Sequence, residues 1–351
     1  MAATPAPALG PSLKHLAVHL LTPLLMCLGM ALAYQGAFHQ PEPHRLAVAV
    51  VGTNPQATGL AGAVQDKAGP ALDVRTLATR ADAERQLRDR ELTGAFILDP
   101  KSPELIVARA GSDTSAMAAE AVFRTVATQQ GVPLTVTDLA PTAAGDPTGQ
   151  GLFFLLVALS IGSYGSVAAI GAAGAGLGMR VRALAGLATS LVVSVIGIVT
   201  AGPVFHVVDH DLAAVWAMGW LYSAGIVAIG TGLHTFLKRW TTLALMVLFV
   251  MLNFTTSGGI YRPELQNGFF GALHSFWNGA GFLEGARDVL YFGGGAGLGG
   301  RLAALALWLL AGLALLAGAG WYERRRAVDA SAGARPVEAA AEEEMDEAVG
   351  V

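Results

Sequence analysis

Residues 257–294, SGGIYRPELQNGFFGALHSFWNGAGFLEGARDVLYFGG, lie between two apolar segments that are each long enough to span a bilayer. The stretch is too polar to span and too apolar for an ordinary loop. Phe269, Phe270, Leu273, Phe276, Trp277, Phe282 and Leu283 recur at roughly helical spacing, interrupted by Gly279 and Gly281. That pattern predicts two short amphipathic helices at a membrane surface, a re-entrant hairpin, with aromatic rings at the interfacial depth they prefer. Glu284, Arg287 and Asp288 fall within one helical turn, so an acid and a base three residues apart can pair near hydrocarbon, or can each sit solvated among headgroups.

Working outward, composition agrees with a membrane setting. Of 351 residues, 53% are hydrophobic and 14% charged, and the mean hydropathy is positive. The apolar residues gather at 16–34, 152–175, 184–204, 213–237, 241–254 with its flanks, and 302–322. About 20 apolar residues cross a hydrocarbon core, so six transmembrane helices are expected. Many of the 44 glycines fall inside these runs, where small residues permit close helix packing, as in Gly174-x-x-x-Gly178.

Residues 1–15 form a Pro/Ala-rich cytoplasmic segment ahead of the first span at 16–35. Ala31-Leu32-Ala33 also resembles a signal-peptide cleavage site, so this first span is read either as an anchor or as a removed leader. Between 36 and 149 the pattern changes. Strand signals at 46–51, 94–98, 104–108 and 134–137 alternate with helical patterning at 57–68, 82–92 and 115–129, which predicts an extracytoplasmic α/β domain of about one hundred residues. Its charges are mixed and dispersed, as on a solvated surface. Residues 140–149 are a Pro/Gly linker into the five-helix domain, 150–322.

Basic residues orient the chain. Lys14, Arg180, Arg182, Lys238, Arg239 and Arg324, Arg325 and Arg326 all fall on one side when six spans alternate, and that side should be cytoplasmic. Residues 323–351, with Glu342, Glu343, Glu344, Asp346 and Glu347, read as an acidic disordered tail on the same side.

Chemistry is sparse. The chain lacks a Gly-x-x-x-x-Gly-Lys-Ser/Thr loop, and its glycine runs at 171–178 and 293–300 read as helix packing and a hinge rather than a nucleotide fingerprint. His206, Asp209, His210 and Asp211 are metal-ligand types without helical ligand spacing, and read as an interfacial turn. His19 and His234 read as helix-end residues. Ser160, Ser163 and Ser166 have no base within reach to activate them, and the single cysteine, Cys27, permits no internal disulfide. A net charge of −4 without a basic stripe argues against nucleic acid. No catalytic residue, metal or cofactor is assigned, and no enzyme activity is expected.

The order of elements carries a resemblance, together with Ser257-Gly258-Gly259-Ile260-Tyr261-Arg262-Pro263-Glu264-Leu265, Phe269-Phe270, Gly285-Ala286-Arg287, Asp146-Pro147-Thr148-Gly149 and the run from Thr93 to Leu98. It resembles the ABC-2 type exporter permeases, most of all the YhgE/Pip-like branch in high-GC bacteria. The resemblance implies a bacterial multi-pass plasma-membrane protein, homodimeric or paired with a sister permease and driven by a separate P-loop ATPase. The exported substrate would be amphiphilic or lipid-linked. Some members of that branch are instead described as stand-alone envelope proteins whose outer domain binds a protein, polymer or phage, which is the alternative. It marks Gly258, Gly259, Pro263, Glu264, Glu284 and Arg287 as hairpin residues. ATPase coupling would fall on residues 10–15, where Pro11 weakens the helix, or on Arg180 and Arg182, for which positive-inside anchoring is the other account. The family's further prolines are replaced by Gln266-Asn267 and Trp277-Asn278, so the hairpin's bends are expected at Gly268, Gly279 and Gly281.

Overall fold

The computed structural model describes the backbone of residues 9–295 and 297–349 and the side chains of 16–18, 20–295 and 297–329. Lys14, His19 and the side chains of residues 10–15 therefore lie outside the described residues. Among the described residues, five stretches are long and apolar enough to cross a membrane: Leu16–Phe38, Gly151–Ala173, Met179–Val204, Leu212–Thr256 and Leu298–Asp329. They make this a membrane-embedded helical protein, and a small mixed-sheet domain is inserted between the first two.

That domain follows α1 (Leu9–Phe38) and runs β1 (Leu46–Val51), α2 (Pro55–Ala68), β2 (Leu72–Leu77), α3 (Arg80–Arg88), β3 (Gly94–Ile97), β4 (Glu104–Val107), α4 (Asp113–Gln129) and β5 (Thr135–Asp138). The strand order is β2-β1-β3-β4-β5, with β3 and β4 antiparallel and the other neighbours parallel. Alternation along β1 sends Leu46, Val48 and Val50 to the face covered by α2 and α4, while Ala49 and Val51 meet Ala83 and Leu87 of α3. Phe96 of β3 stacks on Phe123 of α4 with centroids 4.9 Å apart. Strand β2 was not expected from the sequence. It is an edge strand, and the exposed Arg75 and Thr76 dilute its apolar signal.

Besides α1, the membrane helices are α5 (Gly151–Ala173), α6 (Met179–Val199, extended by a π turn at Thr200–Val204), α7 (Leu212–Leu237), α8 (Thr241–Met246), α9 (Leu252–Thr256) and α12 (Leu298–Val349), with a π turn between α8 and α9. The long Leu212–Thr256 stretch does not run straight. It reverses at Lys238, whose φ of 48° no continuing helix adopts. A Cβ built on Gly230 would lie 3.0 Å from Leu245, and Asn253 Nδ2 donates to the Tyr222 hydroxyl at 2.6 Å, so the two legs run antiparallel. Glycine also sets the α7–α12 contact, where a Cβ on Gly232 would come within 2.9 Å of Leu315 and one on Gly312 within 2.7 Å of Ala228.

Two expectations are corrected here. Gly174 and Gly178 are not a packing stripe; they bound the turn between α5 and α6, where closely spaced glycines end the helix. The acidic tail was expected to be disordered, yet α12 continues as helical backbone to Val349, consistent with its Ala- and Glu-rich sequence.

The bundle has two distinct ends. At one, Gly145 packs on the backbone of Phe205 and His206, Gly151 meets Val207, and His210 Nε2 donates to the Leu290 carbonyl at 2.7 Å. This is also the end that carries the sheet domain. At the other, Gly171 packs on His234, Gly320 on Met179, and Thr235 donates to Glu323 at 3.0 Å. Arg180, Arg182, Lys238, Arg239 and Arg324–Arg326 all lie at or beside this second end.

Candidate functional site: a buried charge node under the sheet domain

Residues 257–294 fold into a 3-10 turn at Pro263–Leu265, then α10 (Gly268–His274) and α11 (Asn278–Tyr291). Asn267 starts α10 by accepting from the amides of Phe269 and Phe270, and its Nδ2 donates to the Gly36 carbonyl near the end of α1 at 3.0 Å. The turn at 275–277 enters the bundle. Trp277 Nε1 donates to the Leu248 carbonyl at 3.2 Å, and Trp308 Nε1 donates to the Phe276 carbonyl at 2.8 Å. Leu248 lies eight residues before Thr256 and Trp308 ten residues after Leu298, so at helical rise the hairpin tip sits roughly 12–15 Å below the helix ends.

This placement corrects the surface-helix expectation for α11, which is buried from Asn278 to Asp288. The bend also falls at 275–277 rather than at Gly279 and Gly281. Those two glycines lie in the first turn of α11, where a Cβ on Gly279 would strike Asn253 Oδ1 at 2.3 Å and one on Gly281 would press on the Arg301 carbonyl at 3.2 Å. Their role is close approach. Gly279 N donates to Asn253 Oδ1 at 2.8 Å, and the Asn253 amide in turn reaches Tyr222, whose hydroxyl is hydrogen-bonded to Ser160. The serine expected to be inert as a nucleophile thus lies in a buried network joining α5, α7, α9 and α11.

Above this network the charges converge. Glu284 is completely buried. Arg287 Nη1 donates to Glu284 Oε1 at 2.9 Å and to the Gly258 carbonyl at 2.9 Å. The second oxygen of Glu284 is bound by Arg90, which also donates to Asp288 Oδ1 at 2.6 Å and stacks over the Phe292 ring at 5.1 Å. Arg90 belongs to the sheet domain. It follows α3 with φ of 62°, a left-handed conformation that turns the chain toward β3 and the guanidinium down onto α11. A buried carboxylate is tolerable only when paired and hydrogen-bonded, and here its two principal partners come from two different parts of the fold.

The expected hairpin residues surround this node. Gly258 has φ of 80°, and a Cβ there would meet Glu284 Oε1 at 2.8 Å and His274 at 2.9 Å. A Cβ on Gly259 would lie 2.1 Å from Phe153 of α5. Pro263 opens the 3-10 turn, and Glu264 Oε1 accepts from Ser115 Oγ of the sheet domain at 3.1 Å. Thr114 Oγ1 donates to the Ile260 carbonyl at 2.9 Å and the His44 amide to the Glu264 carbonyl at 2.7 Å, so with Arg90 three segments of the sheet domain grip the hairpin. Gln266 and His274 donate to the Thr255 and Thr256 carbonyls at 2.7 and 2.8 Å, satisfying the C-terminal end of α9. Asp146 accepts from the amides of Gln150 and Gly151 at 3.1 and 2.8 Å and so starts α5.

His210 ties the loop before α7 to the hairpin, its Nδ1 2.5 Å from Asp209. The Asp209 carboxylate raises the His210 pKa above its ordinary value. A raised folded-state value stabilises the protonated form, so this contribution is full below the ordinary histidine value and is lost as pH rises through the folded one. Accordingly, the difference in melting temperature between wild type and His210→Gln should shrink from pH 6 to pH 9. A difference that grows with pH would contradict the assignment. Among the described residues, no group of three potential metal ligands is assembled, and His206 stands apart from the His210 contacts.

At the opposite end the two proposed coupling arginines part company. Arg180 is exposed, whereas Arg182 is buried and ion-paired with Glu323 of α12. Arg182 is thereby occupied in holding α6 to α12.

Sequence reasoning missed Arg90. Its partners are 194 and 198 residues away, and its helix-terminal setting, RDRELTG, offers no signal beyond a charge next to a turn. No protein-family model matches this chain, and no curated protein and no solved structure matches it either.

Proposed function

We propose that the chain is the membrane-spanning permease subunit of an ABC-2 type exporter, with six crossings, working as a dimer or with a sister permease and powered by a separate ATPase. The observation that supports it is the hairpin that dips into the bundle while Arg90 of the outer domain holds its buried Glu284 and Asp288. Outer domain, hairpin and helix ends are then one mechanical unit, and a movement of the helices is passed to the outer domain through charges that cannot separate cheaply. With α7 and α8–α9 counted as two antiparallel crossings, the sheet domain falls on one side of the membrane and the arginine- and lysine-rich end on the other, which the positive-inside rule makes cytoplasmic. The exposed Arg180, Lys238 and Arg239, with Arg324–Arg326 beside them, are cationic residues offered to an ATPase there.

Topology and coupling are tested together. With Cys27 replaced, a cysteine introduced at Asp66 should react with an impermeant reagent added to intact cells, and one at Arg325 should not. The reverse pattern contradicts the reading. Arg180→Gln should leave the amount of inserted protein unchanged and weaken ATPase retention. Arg182→Gln should instead lower the amount of folded protein, because it strips Glu323 of its partner; equal effects of the two would oppose the distinction.

The second reading, an ATPase-independent envelope protein that binds its target through the outer domain, draws support from one feature, an apolar groove between α2 and α4 on the face away from α3.

A further inference from the structure

The groove between α2 and α4 has a volume of about 560 Å³, within the roughly 300–1,000 Å³ typical of small-molecule sites. Leu60, Val64, Leu72, Val122 and Val126 line it. These side chains are aliphatic; Val64 and Leu72 form the buried floor, and Leu60, Val122 and Val126 are half-buried on the walls. No aromatic ring lines the groove, and of the edge strand β2 only its first residue, Leu72, reaches it, so the walls are helix faces that match a flexible hydrocarbon chain.

Its polar features are few: one on the α4 wall, Thr125, whose hydroxyl donates to the Ala121 carbonyl, and the rest at its ends. Lys67, in the last turn of α2, is the only charged side chain on the lining among the described residues, and it is exposed and takes part in no ion pair there. From α4 come Gln129 and Gln130. Because β4 is antiparallel to β3 while β1 and β3 are parallel, α2 and α4 run in opposite directions. The C-terminal end of α2 leads into β2 at the edge of the domain nearest the membrane helices. There the Arg45 amide donates to the Pro70 carbonyl at 3.0 Å, and the adjacent His44 amide to the hairpin. Pro43, which also lines the groove, is five residues beyond the end of α1. Lys67 and Pro43 therefore mark a mouth that faces the membrane, and the glutamines mark the far end.

We propose that this groove binds a single-chain anionic amphiphile taken from the outer leaflet, with the hydrocarbon chain between α2 and α4 and the anionic headgroup on the Lys67 ammonium. The charge complementarity is specific. An anion meets an unpaired cation at the mouth, and the apolar chain covers the half-buried Leu60, Val122 and Val126 over a floor of buried Val64 and Leu72. The inference stands whether or not an ATPase drives the chain.

The test uses the full-length protein in phosphatidylcholine nanodiscs, irradiated with palmitic acid that carries a diazirine near the end of its chain, with adducts mapped by mass spectrometry. Adducts are expected on peptides covering 60–72 and 121–130, removed by excess palmitate and not by its methyl ester. Lys67→Gln should lower this labelling roughly tenfold, as expected for loss of one charge-assisted hydrogen bond. Val126→Trp, which fills the groove, should abolish it. Labelling of the membrane helices reports folding and should not change in either variant. The proposal is overturned by an unlabelled outer domain, by variants that label as wild type, or by equal competition from the methyl ester. Cross-links joining α2 and α4 of two chains would overturn it too, and assign the groove to a second copy.

Discussion

Arg90→Ala should be among the most damaging single substitutions in the outer domain. It removes one of the two hydrogen-bonding cations from the fully buried Glu284 and the partner of Asp288. Breaking a buried pair from one side costs on the order of 3–5 kcal/mol, because the remaining charge is stranded. Glu284→Ala should be similarly costly, since it leaves the buried Arg287 without an acidic partner and Arg90 with Asp288 alone. The decisive comparison is the double variant. If Arg90 and Glu284 act on each other, Arg90→Ala with Glu284→Ala should cost well under the sum of the single losses, read as folded monodisperse protein and melting temperature in mild detergent. Additive losses would mean that the outer domain and the hairpin are held elsewhere.

Gly259→Ala carries the second large effect, for a steric reason. The added methyl group would sit 2.1 Å from Phe153 Cδ2, well inside contact distance, at a point where hairpin, α5 and α9 meet and Phe153 packs edge-on against Phe254. Overpacking of this kind costs about 1–3 kcal/mol when the neighbours can shift, and more when they cannot. Phe153→Leu should restore part of the loss in the Gly259→Ala background while being destabilising alone. Were Gly259→Ala neutral, the hairpin would not approach α5 as described.

What the sequence disclosed and what it hid divide along physical lines. Runs of about 20 apolar residues are legible because the bilayer imposes length, and the outer domain is legible because β1, β3 and β4 alternate cleanly or are continuously apolar. Edge strand β2, half-exposed and half-polar, gave too little contrast. The hairpin announced itself as an element, since aromatic residues and a Glu284/Arg287 spacing of three cannot be an ordinary loop. Its depth did not, because amphipathic spacing looks the same at an interface as in a bundle whose neighbours offer Asn253 and a tryptophan. Gly279 and Gly281 illustrate the ambiguity: glycine permits either a bend or close contact, and only the partner Asn253 decides. Arg182 and Arg180 are indistinguishable as letters two apart, yet two residues along a helix is more than half a turn, enough to bury one against Glu323 and expose the other. Arg90 required knowledge of a contact across nearly two hundred residues.

The most direct test of the exporter account is purification of the wild-type chain from its native membrane in mild detergent, followed by reconstitution into vesicles loaded with amphiphile. The account expects a P-loop ATPase to co-purify, and export from the vesicles to require that subunit and ATP. Recovery of the chain with no ATPase, together with activity that persists in its absence, would contradict it and leave the stand-alone envelope protein in its place.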